Sequence, residues 1–211
     1  MRRYSLFDQL LITADRAVKT LVTRPPAPAP RPDAAVREQP LTEQEKSVSA
    51  RLMRVNHAGE VSAQALYHGQ ALTSRSPATR SLLLQAADEE YQHLSWCEGR
   101  LRELGAHRSR LTPVWYTGSL TIGLAAGLAG DAWSLGFVSE TENQVIRHLQ
   151  GHLERLPPLD ERSRAILEQM RYEEAHHGET ARRAGGRPLP LSVQLLMRAT
   201  SRVMTTGAYY L

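Results

Sequence analysis

Cysteine is nearly absent from this chain, which limits the ways in which the fold can be stabilised. Cys97 is the one cysteine among 211 residues, so no disulfide can form within the chain. A chain of this length can bury enough apolar surface to fold without one. The N-terminal residues also lack a cleavable signal-peptide pattern. Together these features predict a protein of a reducing environment, in the cytoplasm or at its boundary.

Strand-like sequence is also missing. Aromatic residues make up 6% of the chain, and no segment shows the β-branched alternation that is typical of strands. Glycine and proline are few outside two zones, whereas leucine, alanine, glutamate, glutamine and arginine, which favour helices, are abundant. We therefore expect an all-α fold.

The chain has no basic run of the kind that binds nucleic acid. Its formal net charge is +4, and its arginines are interleaved with glutamate and aspartate rather than with aromatic residues. We expect no nucleic-acid partner. A mild positive charge is also compatible with contact with an anionic membrane surface.

Start and stop signals predict six helices. They cover residues 5–22, 42–74, 77–104, 131–155, 160–184 and 190–206. The four long helices are joined by a short link, a long crossing and another short link. This order predicts a ferritin-like four-helix bundle with one crossover connection, plus an amphipathic N-terminal helix and a C-terminal helix.

Five prolines within residues 24–32 separate the N-terminal helix from the bundle. Proline removes amide donors and favours extended chain, so this segment resembles a linker. The predicted domains are therefore an amphipathic helix over 1–23, a proline-rich linker over 24–40, and a ferritin-like domain over 41–211.

The N-terminal helix allows two interpretations. Its apolar stripe consists of Leu6, Leu10, Ala14, Ala17, Val18 and Leu21. Such a stripe either docks on the protein's own core or lies in a membrane interface.

Residues 111–130 form a stretch of twenty residues without a charge. The length alone would admit a membrane-spanning helix, but Pro113, four glycines and the adjacent Asp131 argue against one. A lid or membrane-facing helix and a buried core helix are the remaining interpretations.

Two short strings, "DEEYQH" at 88–93 and "YEEAHH" at 172–177, repeat the same chemistry. Residues three apart lie on one face of a helix, so Glu90 can bind a metal ion together with His93. Glu174 and His177 repeat this spacing, and a further glutamate about thirty residues upstream precedes each pair. These are Glu60 and Glu142. A lone glutamate and an E-x-x-H pair from each of two hairpins is the ligand pattern of di-metal carboxylate proteins.

Neighbouring residues compete for these roles. Glu142 has apolar helical neighbours whereas Glu140 has polar ones, and Glu89 has no histidine three residues later. Glu173 with His176 fits the spacing as well as Glu174 with His177 does. The more apolar face of Glu174 and the match between the two strings favour the latter pair.

The predicted metal ligands are thus four glutamates and two histidines. They are Glu60, Glu90, His93, Glu142, Glu174 and His177. Buried carboxylates are costly without a cation, and mixed oxygen and nitrogen ligands suit iron or manganese better than zinc. Glu90 and Glu174 are placed to bridge two metals. Dioxygen activation is the chemistry that such a site performs best, with iron storage or peroxide dismutation as alternatives.

Three further residues are candidates for contacts with these ligands. His57 and Tyr67 lie one and two helical turns from Glu60, and His148 lies six residues after Glu142. Each is equally compatible with an ordinary structural role.

The strings "RVNHAGEVSAQALYHGQ", "DEEYQHLSW", "ETENQVIRHL" and "YEEAHHGETA" resemble those of the demethoxyubiquinone hydroxylases, the di-iron monooxygenases of ubiquinone biosynthesis. The resemblance covers about residues 45–211, including the tail "SRVMTTGAYYL". It implies two iron ions, one held by Glu60 and His93, the other by Glu142 and His177. Glu90 and Glu174 would be shared.

The resemblance also implies a substrate and a location. The expected reaction adds one oxygen from dioxygen to the ring of a 2-polyprenyl-3-methyl-6-methoxy-1,4-benzoquinol. The expected location is the cytoplasmic side of the cell (inner) membrane, with residues 111–130 receiving the isoprenoid tail. Other proteins of ubiquinone biosynthesis are candidate partners, and NADH is a candidate electron donor. Because no dinucleotide-binding fingerprint is present, NADH would act through a partner, through the quinone or at a surface site. The main alternative is a ferritin-like protein that oxidises and stores iron.

Overall fold

The computed structural model describes residues 6–22 and 31–211, with only the backbone described for residues 6, 7, 9 and 10. This part of the chain holds seven α-helices and no strand, which confirms the all-α prediction. The helices are α1 Leu6–Val22, α2 Glu43–Thr73, α3 Pro77–Glu103, α4 Thr112–Leu128, α5 Asp131–Arg155, α6 Glu161–Arg183 and α7 Leu191–Tyr210.

The predicted start signals lie where the helices begin. Thr42 and Glu45 form a capping box at the start of α2, in which the Glu45 carboxylate accepts a hydrogen bond from the Thr42 amide at 2.8 Å. The side chains of Ser76 and Asp160 cap α3 and α6 by accepting hydrogen bonds from the backbone amides of Thr79 and Ser163. One boundary differs, because α7 continues to Tyr210 rather than ending near residue 206.

Helices α2, α3, α5 and α6 form the bundle. Helix α2 pairs with α3, and α5 pairs with α6, while α2 also neighbours α5 and α3 neighbours α6. Two apolar clusters fill the interior, and each draws on all four helices. One includes Met53, Leu101, Leu149 and Met170, and the other includes Tyr67, Leu83, Leu135 and Ala181. The layer between the clusters, near the middle of each helix, holds the predicted metal ligands.

Helix α4 forms the crossover and packs very closely on α2. A Cβ atom on Gly123 would lie 2.2 Å from the Leu66 carbonyl oxygen, and one on Gly69 would lie 2.4 Å from the Leu120 carbonyl oxygen. Only residues without side chains allow two helix backbones to approach so closely. The glycines of the charge-free segment therefore serve helix packing.

The interpretation of residues 111–130 as a buried core helix is wrong. Only Thr112, Tyr116, Gly123 and Gly127 of α4 are buried. Its outer side carries exposed apolar residues, including Val114 and Leu128, which are 58% and 65% exposed. Among the helices of the described residues, none combines the length and apolar character needed to cross a bilayer.

Helix α1 docks on the bundle through one side. Thr20 is buried and donates a hydrogen bond to Oε1 of Gln64 at 2.7 Å, and Ala17 and Leu21 pack beside Tyr116. Two members of the predicted apolar stripe, Ala14 and Val18, face outward instead. Other outward side chains of α1 are also apolar, namely Leu11, Ile12 and Val22. The side chains of Leu6 and Leu10 lie outside the described residues.

The predicted linker over 24–40 lies partly outside the described residues, and its described part contacts the bundle. Asp33 is fully buried and pairs with Arg31 at 2.8 Å and with Arg162 at 2.6 Å. Glu38 pairs with the buried Arg100 at 2.6 Å. These ion pairs attach residues 31–38 to α3 and α6. The division of the chain into three domains stays a prediction.

Candidate metal centre

The structure brings the six predicted ligands together. Each is buried, and the most exposed of them, His177, is 8% exposed. Glu60 comes from α2, Glu90 and His93 from α3, Glu142 from α5, and Glu174 and His177 from α6. Each lone glutamate and each E-x-x-H pair thus projects from its own helix into one layer.

The six side chains form two overlapping groups, each able to hold one metal ion. The first consists of Glu60, Glu90, His93 and Glu174, and the second of Glu90, Glu142, Glu174 and His177. Within each group, one ligand atom per residue lies within 4.8 Å of all the others. Glu90 and Glu174 belong to both groups, as bridging carboxylates would. The role of these residues as metal ligands stays a prediction.

The competing glutamates belong to neither group of candidate ligands. Glu140 accepts a hydrogen bond from Gln144 at 2.8 Å and lies 3.4 Å from Arg147. Glu173 and Glu89 lie at the edge of the cluster with side chains 34% and 39% exposed.

Glu89 and Glu173 make contacts with the predicted histidine ligands that the sequence did not reveal. Nε2 of His93 lies 2.6 Å from Oε2 of Glu173, and Nε2 of His177 lies 2.5 Å from Oε2 of Glu89. The partners are crossed, since each hairpin supplies the carboxylate for the other hairpin's histidine. The inner Nδ1 atom of His93 lies 3.1 Å from Oε1 of Glu174, and that of His177 lies 3.1 Å from Oε2 of the same residue.

A glutamine one turn earlier supports each outer carboxylate. Gln169 donates to Glu173 at 2.6 Å, and Gln85 donates to Glu89 at 3.0 Å. The doubled glutamate of each string is the sequence feature that could have indicated these contacts, because it places a second acidic residue four positions before each histidine.

Of the three further candidates for contacts with the predicted ligands, Tyr67 makes such a contact, whereas His57 and His148 have other neighbours. Tyr67 donates a short hydrogen bond to Oε1 of Glu142. His57 pairs instead with Glu98 at 3.0 Å. His148 lies against His152, with ring centroids 4.0 Å apart and the ring planes tilted by 60°. The buried Nε2 of His148 makes no hydrogen bond among the described residues.

Burial and mutual repulsion perturb the carboxyl groups. Burial raises the pKa of Glu60 well above its usual range, and the charges of Glu90 and Glu174 add to the effect. Burial likewise raises the pKa of Glu142, with Glu174 the next cause. Burial would also raise the pKa of Glu90, but the adjacent imidazoles of His177 and His93 outweigh it, and that pKa is lowered.

The neighbouring carboxylates raise the pKa values of both histidines and favour their protonated form. Burial lowers the pKa of His177, but hydrogen bonds to Glu174 and Glu90 outweigh it and raise the pKa to about 12. The pKa of His93 is also raised well above its usual range against the effect of burial, chiefly by Glu173 and Glu174. Protons thus balance part of the negative charge, and a bound cation would replace them.

The cluster fits a cation. Oε1 of Glu90 is buried and accepts no hydrogen bond among the described residues. Among the described residues, the ion pairs of Glu60, Glu90 and Glu174 with basic side chains involve only His93 and His177. A buried oxygen without a donor and a cluster of carboxylates without an arginine or lysine fit the coordination of a metal cation. Four carboxylates and two imidazoles suit iron or manganese.

A large apolar cavity of about 390 Å³ leads to this cluster. Three of the predicted ligands, Glu60, Glu142 and Glu174, lie at its inner end. Its mouth lies between α4 and α7. The mouth is lined by four residues that are also exposed at the surface, namely Val114, Ile122, Leu196 and Val203. Polar side chains such as Asn56, Thr141 and His148 lie along its walls.

Comparison with known proteins agrees with this architecture. Residues 47–208 match the family model described as "Ubiquinone biosynthesis protein COQ7". The chain is 51% identical to a protein of Nitrosococcus oceani over 211 residues, covering 100% of this chain and 99% of the relative. It is 52% identical to a protein of Dechloromonas aromatica over 202 residues, covering 96% and 98% of the two chains. It is 53% identical to a protein of Nitrosospira multiformis over 203 residues, again covering 96% and 98%.

All three relatives carry the name "3-demethoxyubiquinol 3-hydroxylase". The match to the Nitrosococcus oceani protein includes residues 1–40, which the resemblance seen in the sequence motifs did not cover. The family-model match and the full-length identities lead to one conclusion: the chain belongs to the COQ7 family of ubiquinone biosynthesis proteins.

Proposed function

We propose that this protein is a di-iron monooxygenase that hydroxylates the ring of a 3-demethoxyubiquinol, with dioxygen as the oxygen source. The observation that carries the proposal is the apolar cavity, because it joins an apolar part of the surface to the buried glutamate and histidine cluster. The names of the relatives support the same reaction. A substrate with a hydrophobic tail and a reactive polar ring needs an apolar path from the surface to the metal ligands.

The cavity suits a polyprenyl benzoquinol. Its volume of about 390 Å³ lies within the range of small-molecule sites, and its walls are largely apolar. The isoprenoid tail would lie against Val114, Ile122 and Leu196 at the mouth, while the ring lies deeper, near Glu60 and Glu142. Thr141 and His148 are polar groups beside that position and could hydrogen-bond the ring oxygens.

The chain's own residues would hold and shield the reacting groups. Iron bound by the six ligands would supply the redox chemistry that activates dioxygen. Glu90 and Glu174, which belong to both groups of candidate ligands, would help to hold both ions. Tyr67 orients Glu142 through its hydrogen bond, and the apolar walls exclude bulk water from the ring.

A peripheral position on the cytoplasmic face of the cell membrane is part of the proposal. Helices α4 and α7 surround the cavity mouth with exposed apolar side chains, and Leu196 and Val203 are 67% and 66% exposed. The net charge of +4 favours an anionic lipid surface. Resting there would place the mouth in contact with the lipid phase in which a polyprenyl quinol dissolves.

Iron oxidation and storage remains the alternative function, since the same ligand set would oxidise ferrous iron. A storage protein has no use for an apolar cavity that opens among exposed valines and leucines. The cavity therefore favours the hydroxylase.

The decisive test is product formation by the reconstituted protein. The metal-free chain is loaded with ferrous iron without oxygen, given a short-chain demethoxyquinol and a reductant, and then exposed to ¹⁸O-labelled dioxygen. We expect a hydroxylated product that carries the label in mass spectrometry. Glu90→Ala and Glu174→Ala should abolish it, whereas Glu179→Ala, a surface change on the same helix as Glu174, should not. Equal product from all four proteins would refute the proposed site.

The membrane position has its own test. Val114→Glu combined with Leu196→Glu places two charges at the mouth and should reduce flotation with anionic liposomes. Leu159→Glu changes an exposed leucine in the connection between α5 and α6 and serves as the control. Equal flotation of the two variants would remove the proposed docking surface.

A further inference from the structure

We propose that divalent metal ions reach the dinuclear site through a polar opening between α3 and α6, on the side of the bundle away from the apolar cavity. This opening is a second cavity of about 380 Å³. Its lining residues are Glu89, Gln92, Tyr172, Glu173, His176 and His177. The inference rests on the proposed metal site, because it concerns how that site is loaded.

The two cavities are bounded by largely different helices. The apolar cavity is bounded by α2, α4, α5 and α7, apart from Glu174 at its inner end, whereas the polar opening is bounded by α3 and α6 alone. Because α2 neighbours α5 and α3 neighbours α6, the cavities approach the cluster from opposite sides of the bundle. The quinol and the metal therefore need not share an entrance.

The polar opening is in direct contact with the ligands. His177 lines it, and the outer carboxylates Glu89 and Glu173 touch Nε2 of His177 and of His93. The two imidazole rings lie side by side with centroids 6.2 Å apart, and the cluster lies just behind them. A cation at the two outer carboxylates would thus be separated from the inner ones by a single layer of imidazoles.

Electrostatics and solvation favour this route. Glu89 and Glu173 are partly exposed, and the lining contains no lysine or arginine, so these two carboxylates present negative charge to cations in solution. A hydrated divalent ion loses its water at great cost unless oxygen ligands replace it. The outer carboxylates and the Tyr172 hydroxyl can supply such ligands, whereas the apolar cavity presents mainly hydrocarbon along its length.

Gln92 provides a way to test the route without touching a ligand. It is exposed, lines the opening and is not part of the cluster. Gln92→Lys adds a positive charge there, and Gln92→Glu adds a negative one. Ser119→Lys places the same positive charge in the lining of the apolar cavity and is the matched control.

The experiment measures the rate at which the metal-free, full-length protein takes up Co²⁺. Stopped-flow absorbance follows the bound cobalt, and the fluorescence of Trp96 gives a second signal because its ring lies 5.2 Å from that of His93. At low ionic strength we expect Gln92→Lys to slow uptake by about threefold to tenfold and Gln92→Glu to accelerate it. Both effects should shrink in high salt, and Ser119→Lys should load at the wild-type rate.

The outcomes separate this inference from the proposed function. Uptake of two Co²⁺ per chain, with Gln92→Lys as fast as wild type or with Ser119→Lys slowed instead, overturns the route and leaves the metal site intact. Failure of the wild-type chain to bind Co²⁺ at any rate overturns the metal site, and the route with it.

Discussion

Glu173 of α6 accepts a hydrogen bond from Nε2 of His93 of α3 at 2.6 Å, and Glu89 holds His177 in the reciprocal way at 2.5 Å. A carboxylate that accepts at Nε2 keeps the proton of the neutral imidazole on that atom. Nδ1, which faces the buried carboxylates, is then free to bind a metal ion. The crossed contacts therefore set both the tautomer and the orientation of the two predicted histidine ligands.

Removing an outer carboxylate should weaken metal binding. Glu173→Ala leaves Nε2 of His93 without its acceptor, and we expect about 10- to 100-fold lower affinity for Co²⁺ or Fe²⁺ by anaerobic calorimetry. Glu173→Gln keeps an acceptor and should recover part of the loss. Glu179→Ala, whose glutamate pairs only with surface arginines, is the control. If Glu173→Ala binds metal as tightly as this control, the outer carboxylate does not support the site.

The buried Arg100 should be important for stability. It pairs with the fully buried Asp160 at 2.8 Å and donates to Ser163 at 2.9 Å. Arg100→Ala would leave the buried Asp160 carboxylate without its cationic partner, with only the Ser163 amide as a hydrogen-bond donor, and we expect a loss of about 3–5 kcal/mol in the free energy of unfolding. Glu38→Ala removes a partner that is 48% exposed and should cost about 1 kcal/mol or less. Urea unfolding of the metal-free proteins measures both values, and similar losses would contradict the assigned difference.

Replacing two glycines of α4 by alanine, one at a time, should have different effects on stability. A Cβ atom on Gly123 would lie 2.2 Å from the backbone oxygen of Leu66, whereas one on Gly118 would meet no atom within 4 Å. Gly123→Ala must push α4 away from α2 and should cost about 1–3 kcal/mol, seen as a lower melting temperature. Gly118→Ala should be neutral or slightly stabilising, since alanine favours the helix by about 1 kcal/mol. The reverse order of melting temperatures would argue against the close packing of α4 on α2.

Stability should fall in mild acid because of His152. Burial, followed by the charges of His148 and Arg155, lowers the pKa of His152 from 6.5 to about 2. Its Nδ1 lies 2.8 Å from Oδ1 of Asn56, so the neutral ring donates that bond. Below pH 6.5 the unfolded chain takes up a proton that the folded chain does not. This part of the stability is therefore complete above pH 6.5 and is lost as the pH falls towards 2.

Between pH 7.5 and 5.5 the loss from His152 amounts to about 1.4 kcal/mol. His152→Gln lacks the titrating group. Between these two pH values its free energy of unfolding should therefore fall by about 1.4 kcal/mol less than that of the wild type. Urea unfolding at the two pH values tests this, and an unchanged pH dependence in His152→Gln would contradict a neutral, buried His152.

The sequence predicted the helices well because their determinants are local. The capping box of Thr42 and Glu45 and the Pro77 start are read from adjacent residues, and the bounds of α2 and α3 agree with the predicted ones within a residue. The repeat of E-x-x-H likewise predicted which six side chains meet. Helical spacing decides which residues share a face, and each shared face can be recognised without knowing its partner.

The tertiary structure decided what each side chain contacts across helices. The doubled glutamates were visible in the sequence, but that Glu89 serves His177 rather than His93 follows only from the way α3 lies beside α6. The sequence left open whether the charge-free segment is a lid or a buried core helix. In the structure, its glycines allow α4 to pack closely against α2 on one side, and the other side of α4 is exposed. Local pattern determines the helices and the inward face of each, whereas the partners across the bundle depend on how distant helices pack, which no local pattern encodes.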